Sequence, residues 1–311
     1  MKIGVALLNM GGPDSLEAVQ PFLENLFSDR YIFQFWFGQR AFGKMMARLR
    51  RKKSTEFYRA MGGFSPQGPC TESQRIALQA ALGADFRVYT AFRYWRPLAQ
   101  EAVDRAVAAG CTRLVGLSLY PHWCRASVKT SLLDLTARVG KRLPLSFIEH
   151  YPEDTAYLDA LARTAQEALA ASPPDAQLLF SAHGVPQRLI EKGDPYLREI
   201  EATMAGVVRR LGGCDHLLSF QSRAGPMKWL APTTEATLRR LAAEGKRSVA
   251  IVPISFVSDH SETTYEIDIL FRKIATEAGI TSFVRAPALN DRPDFIAALK
   301  ALVERHVRET G

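Results

Sequence analysis

Val249-Ala250-Ile251-Val252-Pro253-Ile254-Ser255-Phe256-Val257 runs straight into Ser258-Asp259-His260-Ser261-Glu262-Thr263-Thr264-Tyr265-Glu266-Ile267-Asp268. The first half is apolar, with β-branched residues at nearly every other position, and it reads as a strand buried on both faces. The second half changes period. Asp259, Glu262 and Glu266 are spaced i, i+3, i+7, which places them on one face of a helix. Asp259 with Glu262 three residues later also fits a capping box, so the helix is expected to start there. Acidic side chains are thereby predicted at the carboxyl end of a buried strand, where open α/β sheets bind ligands. Two readings fit this pattern alone. In one, these are capping residues on a solvated helix; in the other, a row of carboxylates beside His260 moves protons or divalent cations.

Outward from that stretch the same alternation recurs. Strands are predicted at Lys2 to Leu8, Phe86 to Ala91, Arg113 to Tyr120, Ser146 to His150, Gln177 to Ser181 and His216 to Gln221. Helices are predicted at Pro97 to Ala109, Ser127 to Val139, Tyr157 to Ala170, Pro195 to Leu211, Thr233 to Glu244 and Phe295 to Arg308. Strands separated by helices imply an α/β fold, a parallel sheet with helices on both faces. The Tyr151-Pro152-Glu153-Asp154 turn marks a crossover. The expected domains are 1–150 and 151–290, with a terminal helix in 291–311 packing back on the body. The halves echo each other in pattern, without a sequence repeat.

With 311 residues, 47% of them hydrophobic, the chain can bury a full core, and its length suits two domains as readily as one. No run reaches the ~18 apolar residues of a membrane-spanning helix, and no signal-like segment opens the chain. The four cysteines, Cys70, Cys111, Cys124 and Cys214, lie far apart without a C-x-x-C pair. That argues against a disulfide framework, a structural zinc site or a cysteine-ligated iron–sulfur cluster, and for a reducing cytoplasmic setting. A formal charge of +8 suits anionic partners, but no nucleic-acid-binding motif accompanies it, so nucleic acid is not an expected partner. Asn9-Met10-Gly11-Gly12-Pro13-Asp14-Ser15 is a tight turn whose Asp14 or Ser15 can cap a helix, and it is not a dinucleotide fingerprint. Gly38 and Gly43-Lys44 resemble a P-loop only superficially, since Met45 stands where Ser or Thr is needed.

Two further segments carry chemistry. Tyr31 to Phe37 is strongly apolar, and the basic run Arg48 to Lys53 follows. This is either a buried helix with a solvated basic turn, or an interfacial membrane contact or cleft lip. Leu178 to Pro186 is a strand that ends on His183 and then turns at Gly184 and Pro186. A histidine so placed is a hydrogen-bonding fixture or a base working near neutral pH.

Many short motifs in order, among them LLNMGGPDS (7–15), FLENLFSDR (22–30), YRAMGGFSP (58–66), AFRYWRP (91–97), LYPHW (119–123), SAHGVPQR (181–188), GDPY (193–196), QSRAGPMKWLAP (221–232), SDHSETTYEID (258–268) and PALND (287–291), resemble the ferrochelatase family over nearly the whole chain. The resemblance implies two Rossmann-like domains, each a parallel four-stranded sheet flanked by helices, with a porphyrin cleft between them. It implies an enzyme whose substrates are a porphyrin and ferrous iron. His183 and Glu262 would be catalytic and would meet Fe2+ transiently, and Asp259, His260 and Glu266 would form a proton or metal path. Met10, Arg93, Tyr196 and Trp229 would contact porphyrin, and residues 31–37 would be a lip. No permanent cofactor and no iron–sulfur cluster are expected. The segment Trp123-Cys124-Arg125-Ala126-Ser127 departs from the family's small-residue run by introducing a cation. The resemblance favours protoporphyrin IX as the porphyrin, with coproporphyrin III as the alternative, and a porphyrin or haem carrier without catalysis or a cobalt or sirohydrochlorin chelatase also fits the residues. The carboxylate row speaks against the carrier.

Overall fold

The computed structural model describes residues 2–33, 38–223, 225 and 227–310. Two compact units emerge: one comprises Met1–Tyr120, Cys124–His150 and Leu299–Gly311, the other Pro121–Trp123 and Tyr151–Ala298. Strands in chain order are β1 Lys2–Asn9, β2 Phe86–Phe92, β3 Cys111–Ser118 and β4 Leu145–Ile148, then β5 Gln177–His183, β6 His216–Gln221, β7 Ser248–Pro253 and β8 Ser282–Arg285. Helices α1 Val19–Phe27, α2 Gln39–Ala60, α3 Gln67–Leu82, α4 Ala99–Ala108 and α5 Thr130–Val139 accompany the first sheet. Helices α6 Thr155–Ala170, α7 Gln187–Glu191, α8 Tyr196–Arg210, α9 Thr234–Ala243 and α10 Arg272–Ala278 accompany the second, and α11 Pro293–Thr310 closes the chain.

Each unit holds a four-stranded parallel sheet, ordered β2-β1-β3-β4 in the first and β6-β5-β7-β8 in the second. In both, the order reverses beside the first strand, and that crevice at the carboxyl ends is where such sheets take ligands. The first sheet packs Ala6, Leu8, Val103, Leu114 and Leu135 into one cluster with α4 and α5. The second packs Leu179, Val249 and Ile251 against Leu238, Ile267, Phe271 and Phe283. Strand β7 is buried at every position, as an all-apolar central strand must be. It ends at Pro253, the last residue paired with β5, and the Ile254 N–H still donates to the Ser181 carbonyl at 3.1 Å.

Several expectations change here. The acidic stretch does not open with a capping box: the cap position is Ser261, with no side-chain cap bond, and Asp259 accepts from the Thr263 hydroxyl instead. Glu262–Phe271 winds as a π-helix, not an α-helix, so its i→i+5 bonding sets which side chains share a face. The helix expected from Ser127 likewise begins as a π-helical turn, Arg125–Lys129. Arg48 to Lys53 form no turn; they lie within α2 and are exposed. In the apolar segment, Gln34 to Phe37 lie outside the described residues; Ile32 packs against the Phe22 and Tyr58 cluster, and Phe33 meets Phe27 edge-on at 5.2 Å. Strand β8 is absent from the expected strands.

Candidate active site

The carboxyl ends of β5, β6 and β7 bring the second unit's chemical residues together. Strand β5 delivers His183, opposite Gln221 at the end of β6. Gly184 then passes so close to β6 that a Cβ there would stand 2.7 Å from the Gln221 carbonyl, which its own N–H bonds at the same distance. Any side chain would push the two strand ends apart, so glycine follows the histidine for a steric reason. The His183 N–H donates to Ser255 Oγ at 2.9 Å, and the Tyr196 hydroxyl holds the His183 carbonyl at 2.9 Å and Ser255 Oγ at 2.7 Å. Tyr196 is buried, and its hydroxyl fixes the backbone of the histidine. Both backbone groups of His183 are thus pinned, while its fully buried Nδ1 has no hydrogen-bond partner among the described residues.

Beyond β7 the chain turns through Phe256, whose ring lies 5.9 Å from the His183 ring and 3.8 Å from that of His260. His260 Nδ1 meets the Ser258 carbonyl at 3.1 Å. A carbonyl only accepts, so Nδ1 carries the proton and Nε2 is left as the acceptor. That Nε2 stands 3.2 Å from Glu262 Oε2, without hydrogen-bond alignment. With His260 neutral and protonated on Nδ1, Nε2 and Glu262 Oε2 face each other as two acceptors, a pair set to receive a proton that enters the site. Ser261 donates to the same oxygen at 2.5 Å. Farther along the π-helix, Glu266 accepts from Gln221 Nε2 at 3.1 Å and from the Ser222 hydroxyl. Gln221 also donates to the Glu262 carbonyl at 3.0 Å, and its own oxygen takes the Ser181 hydroxyl at 2.6 Å.

Burial pushes both imidazoles below the usual histidine range, against the pull of Glu262. For Glu262 itself burial acts upward, but His260, His183, Ser261 and the backbone outweigh it and hold the carboxyl below its usual range. Glu266 goes the other way: burial first, then the Glu262 charge, raise it to about 7 despite the Ser222 and Gln221 hydrogen bonds. The arrangement is therefore a pair of neutral imidazoles, one ionised carboxylate and one carboxyl poised to gain or lose a proton at neutral pH.

Asp259, whose charge acts upward on His260, is itself held by three donors. Its carboxylate accepts from Arg285 at 3.0 Å, Asn290 at 2.9 Å and Thr263 at 2.9 Å. Trp229 is half-buried beside Gly184, bridges to Pro186, and has an indole N–H without a partner among the described residues. In the first unit, Met10 follows β1 and packs on the Phe22 and Tyr94 cluster. Arg93 follows β2 and gives its charge to buried Asp29 at 2.8 Å, with Nε donating to Thr130 at 3.0 Å. Tyr94 and Thr130 hydroxyls reach the same Asp29 oxygen at 2.7 and 2.5 Å. Sequence reasoning missed Phe256, Ser255, Gln221 and Ser222. Ser222 adopts a left-handed backbone at φ 64°, an unusual conformation for serine that aims its hydroxyl at Glu266; nothing in the residue type announces it. Among the described residues no group of three or more His, Cys, Asp or Glu is arranged to hold a metal ion.

Comparison with known proteins bears on this site. The ferrochelatase family pattern matches residues 2–307. Ferrochelatase of Geotalea daltonii is 44% identical over 310 residues, covering 97% of this chain and 97% of that protein. Ferrochelatase of Aquifex aeolicus is 40% identical over 311 residues, covering 99% and 100%. Among solved structures, SirB from Bacillus subtilis with Fe3+ has a TM-score of 0.59 at 13% identity, covering 98% of this chain and 95% of that one; it is similar in fold. Matched from end to end, with a neutral imidazole and paired carboxyls of opposite protonation at the switch point of its second sheet, the chain belongs to the ferrochelatase family, the lyases that insert iron into a porphyrin.

Proposed function

We propose that this chain inserts Fe2+ into protoporphyrin IX and releases two protons. The observation that carries this reading is the unpartnered Nδ1 of His183 beside the Glu262, His260 and Glu266 cluster. Metal insertion requires a base for two pyrrole protons and acceptors that pass them on. The lone-pair nitrogen of a neutral imidazole can take the pyrrole protons one at a time, handing the first on before it accepts the second. The facing acceptors of His260 Nε2 and Glu262, which can receive a proton between them, and then Glu266, raised to about 7, meet the second need. Glu262 and His183 also offer oxygen and nitrogen donors to iron as it passes; iron is here a substrate, and no resident cofactor is assigned. Met10 and Trp229 would contact the macrocycle. Protoporphyrin is favoured over coproporphyrin III because Arg93, one of the two cations with Arg125 considered for additional carboxylates, is neutralised by Asp29. Purified protein given Fe2+ and each porphyrin in turn, followed by loss of free-porphyrin absorbance, tests this. Equal or faster turnover of coproporphyrin III overturns the substrate, and no insertion into either overturns the reading.

The same proposal places the protein in the cytoplasm with peripheral contact at anionic membranes. No helix among the described residues is long and apolar enough to cross a membrane. On α2, however, Met45 (48% exposed) and Leu49 (69% exposed) sit among the exposed Arg48, Arg50, Arg51, Lys52 and Lys53. Binding to anionic vesicles that added salt abolishes is the expected result.

A further inference from the structure

Arg285, at the end of β8, reaches two carboxylates that bracket the site's glutamates in the chain. Its Nε donates to both oxygens of Asp268, at 2.9 and 3.0 Å, and its Nη1 donates to Asp259 at 3.0 Å. Asp259 precedes Glu262, and Asp268 follows Glu266. Asn290 completes the hold from the other side. Its amide donates to Asp259 Oδ2 at 2.9 Å, its side-chain oxygen accepts the Asp259 N–H at 2.9 Å, and its own N–H bonds the Val257 carbonyl at 2.8 Å. To do this Asn290 takes a left-handed backbone, φ 41°. The Arg285 side chain keeps 16% exposure, so its pairs are poorly screened compared with surface pairs.

The segment so held has an unusual winding. A π-helical run is rare and is found chiefly at functional sites. Here it lacks a side-chain cap, and it sits directly before α10, into which it could rewind. Rewinding as an α-helix would change both its length and the rotation between Glu262 and Glu266. A fork that grips one carboxylate before the run and one near its end opposes that change, because the span between Asp259 and Asp268 depends on the winding.

We propose that Arg285, buttressed by Asn290, is a positioning residue: it clamps Asp259 and Asp268 so that the segment between them stays π-wound and presents Glu262 and Glu266 to the end of β5. This rests on the chelatase reading above. Asp259 acts in it as an anchor for the fork.

The test compares Arg285→Gln and Arg285→Lys in the full chain, with Fe2+ and protoporphyrin IX. Turnover is measured beside porphyrin affinity without metal, read by tryptophan quenching. Arg285→Gln is expected to lower kcat by about ten- to a hundredfold, the usual loss for a supporting partner, while porphyrin affinity and KM stay unchanged. Arg285→Lys keeps the charge but not the fork, and is expected to recover part of the loss. Combined with Glu262→Gln, Arg285→Gln is expected to add less loss than it causes alone, since part of its effect runs through Glu262 and the rest through Glu266. A folded Arg285→Gln with wild-type kcat overturns the proposal, as does full multiplicativity with Glu262→Gln. Should Arg285→Gln fail to fold, Arg285→Lys and Asn290→Ala decide: wild-type kcat in both overturns it, and lowered kcat with unmoved porphyrin affinity supports it. A wild-type chain that inserts no metal overturns the chelatase reading itself. An active wild type beside an equally active variant overturns the clamp alone.

Discussion

Asp29 in the first unit and Glu262 in the second are both withdrawn from water near strand ends, yet their surroundings differ in one respect. Asp29 collects Arg93, the Tyr94 and Thr130 hydroxyls and the Tyr31 N–H, so its lone pairs are filled by donors that cannot leave at neutral pH. Glu262 faces two neutral imidazoles that can take up protons, and neighbours a second carboxyl held near neutrality. The sheets beneath them have the same strand order. A buried carboxylate saturated by permanent donors is an anchor, because proton uptake would cost it those bonds. One left short of permanent donors among titratable neighbours can take part in proton traffic.

The largest expected effect tests the reactive side of that contrast. His183→Ala should lower chelation by about a hundredfold to ten-thousandfold, the range for loss of a general base, with the fold intact. Near-normal turnover of a folded variant, followed by porphyrin absorbance, would remove His183 from the role of base. Next comes the anchor. Asp29→Ala leaves Arg93 without its buried partner and should destabilise the protein by about 3–5 kcal/mol, while turnover of the folded fraction is retained. A thermal melt unchanged from wild type would show that the saturated site is not structural.

Glu266→Gln sharpens the comparison by separating stability from activity. Burial and the Glu262 charge raise its carboxyl to about 7 in the folded chain, from the 4.5 of an ordinary glutamate. The folded state therefore keeps the proton through a window in which the unfolded chain has lost it, so stability falls as pH rises from the lower value to the upper. Above that window the penalty is constant, about 3 kcal/mol at most and less because the residue is only half-buried. Removing the acid should raise the melting temperature above neutral pH, leave it unmoved in acid, and slow turnover. A melting temperature lowered at every pH would mean that Glu266 is an ordinary structural acceptor. The smallest effect belongs to Tyr196→Phe, which deletes the hydroxyl pinning the His183 carbonyl and Ser255. A loss of about 1 kcal/mol is expected, with kcat falling more than porphyrin affinity if the pinning aligns the imidazole. Weakened porphyrin affinity with kcat intact would instead mark Tyr196 as a substrate contact.

Strand and helix alternation, the parallel sheet and the location of His183 at a strand's end were legible because each depends on local pattern. Apolar β-branched runs, helical periodicity and a Gly/Pro turn are all properties of neighbours in the chain. Strand β8 escaped notice because Ser282-Phe283-Val284-Arg285 is too short and too polar at its ends to show a period. The π-winding of Glu262–Phe271 was equally invisible, since the same residues satisfy an α-helical spacing, and the choice depends on how Ile267 and Phe271 pack and on what grips the segment's flanks.

The chain's own order of residues thus determined which fold it builds, which family it belongs to, and which strand ends carry histidine and glutamate. Only the tertiary structure decided which carboxylates are occupied. Arg93 meets Asp29 across 64 positions, Ser222 meets Glu266 across 44, and Arg285 meets Asp259 across 26. Whether an acid is an anchor or a proton acceptor depends on the donors and the burial around it, and these arrive from distant parts of the chain only when the sheets and helices pack.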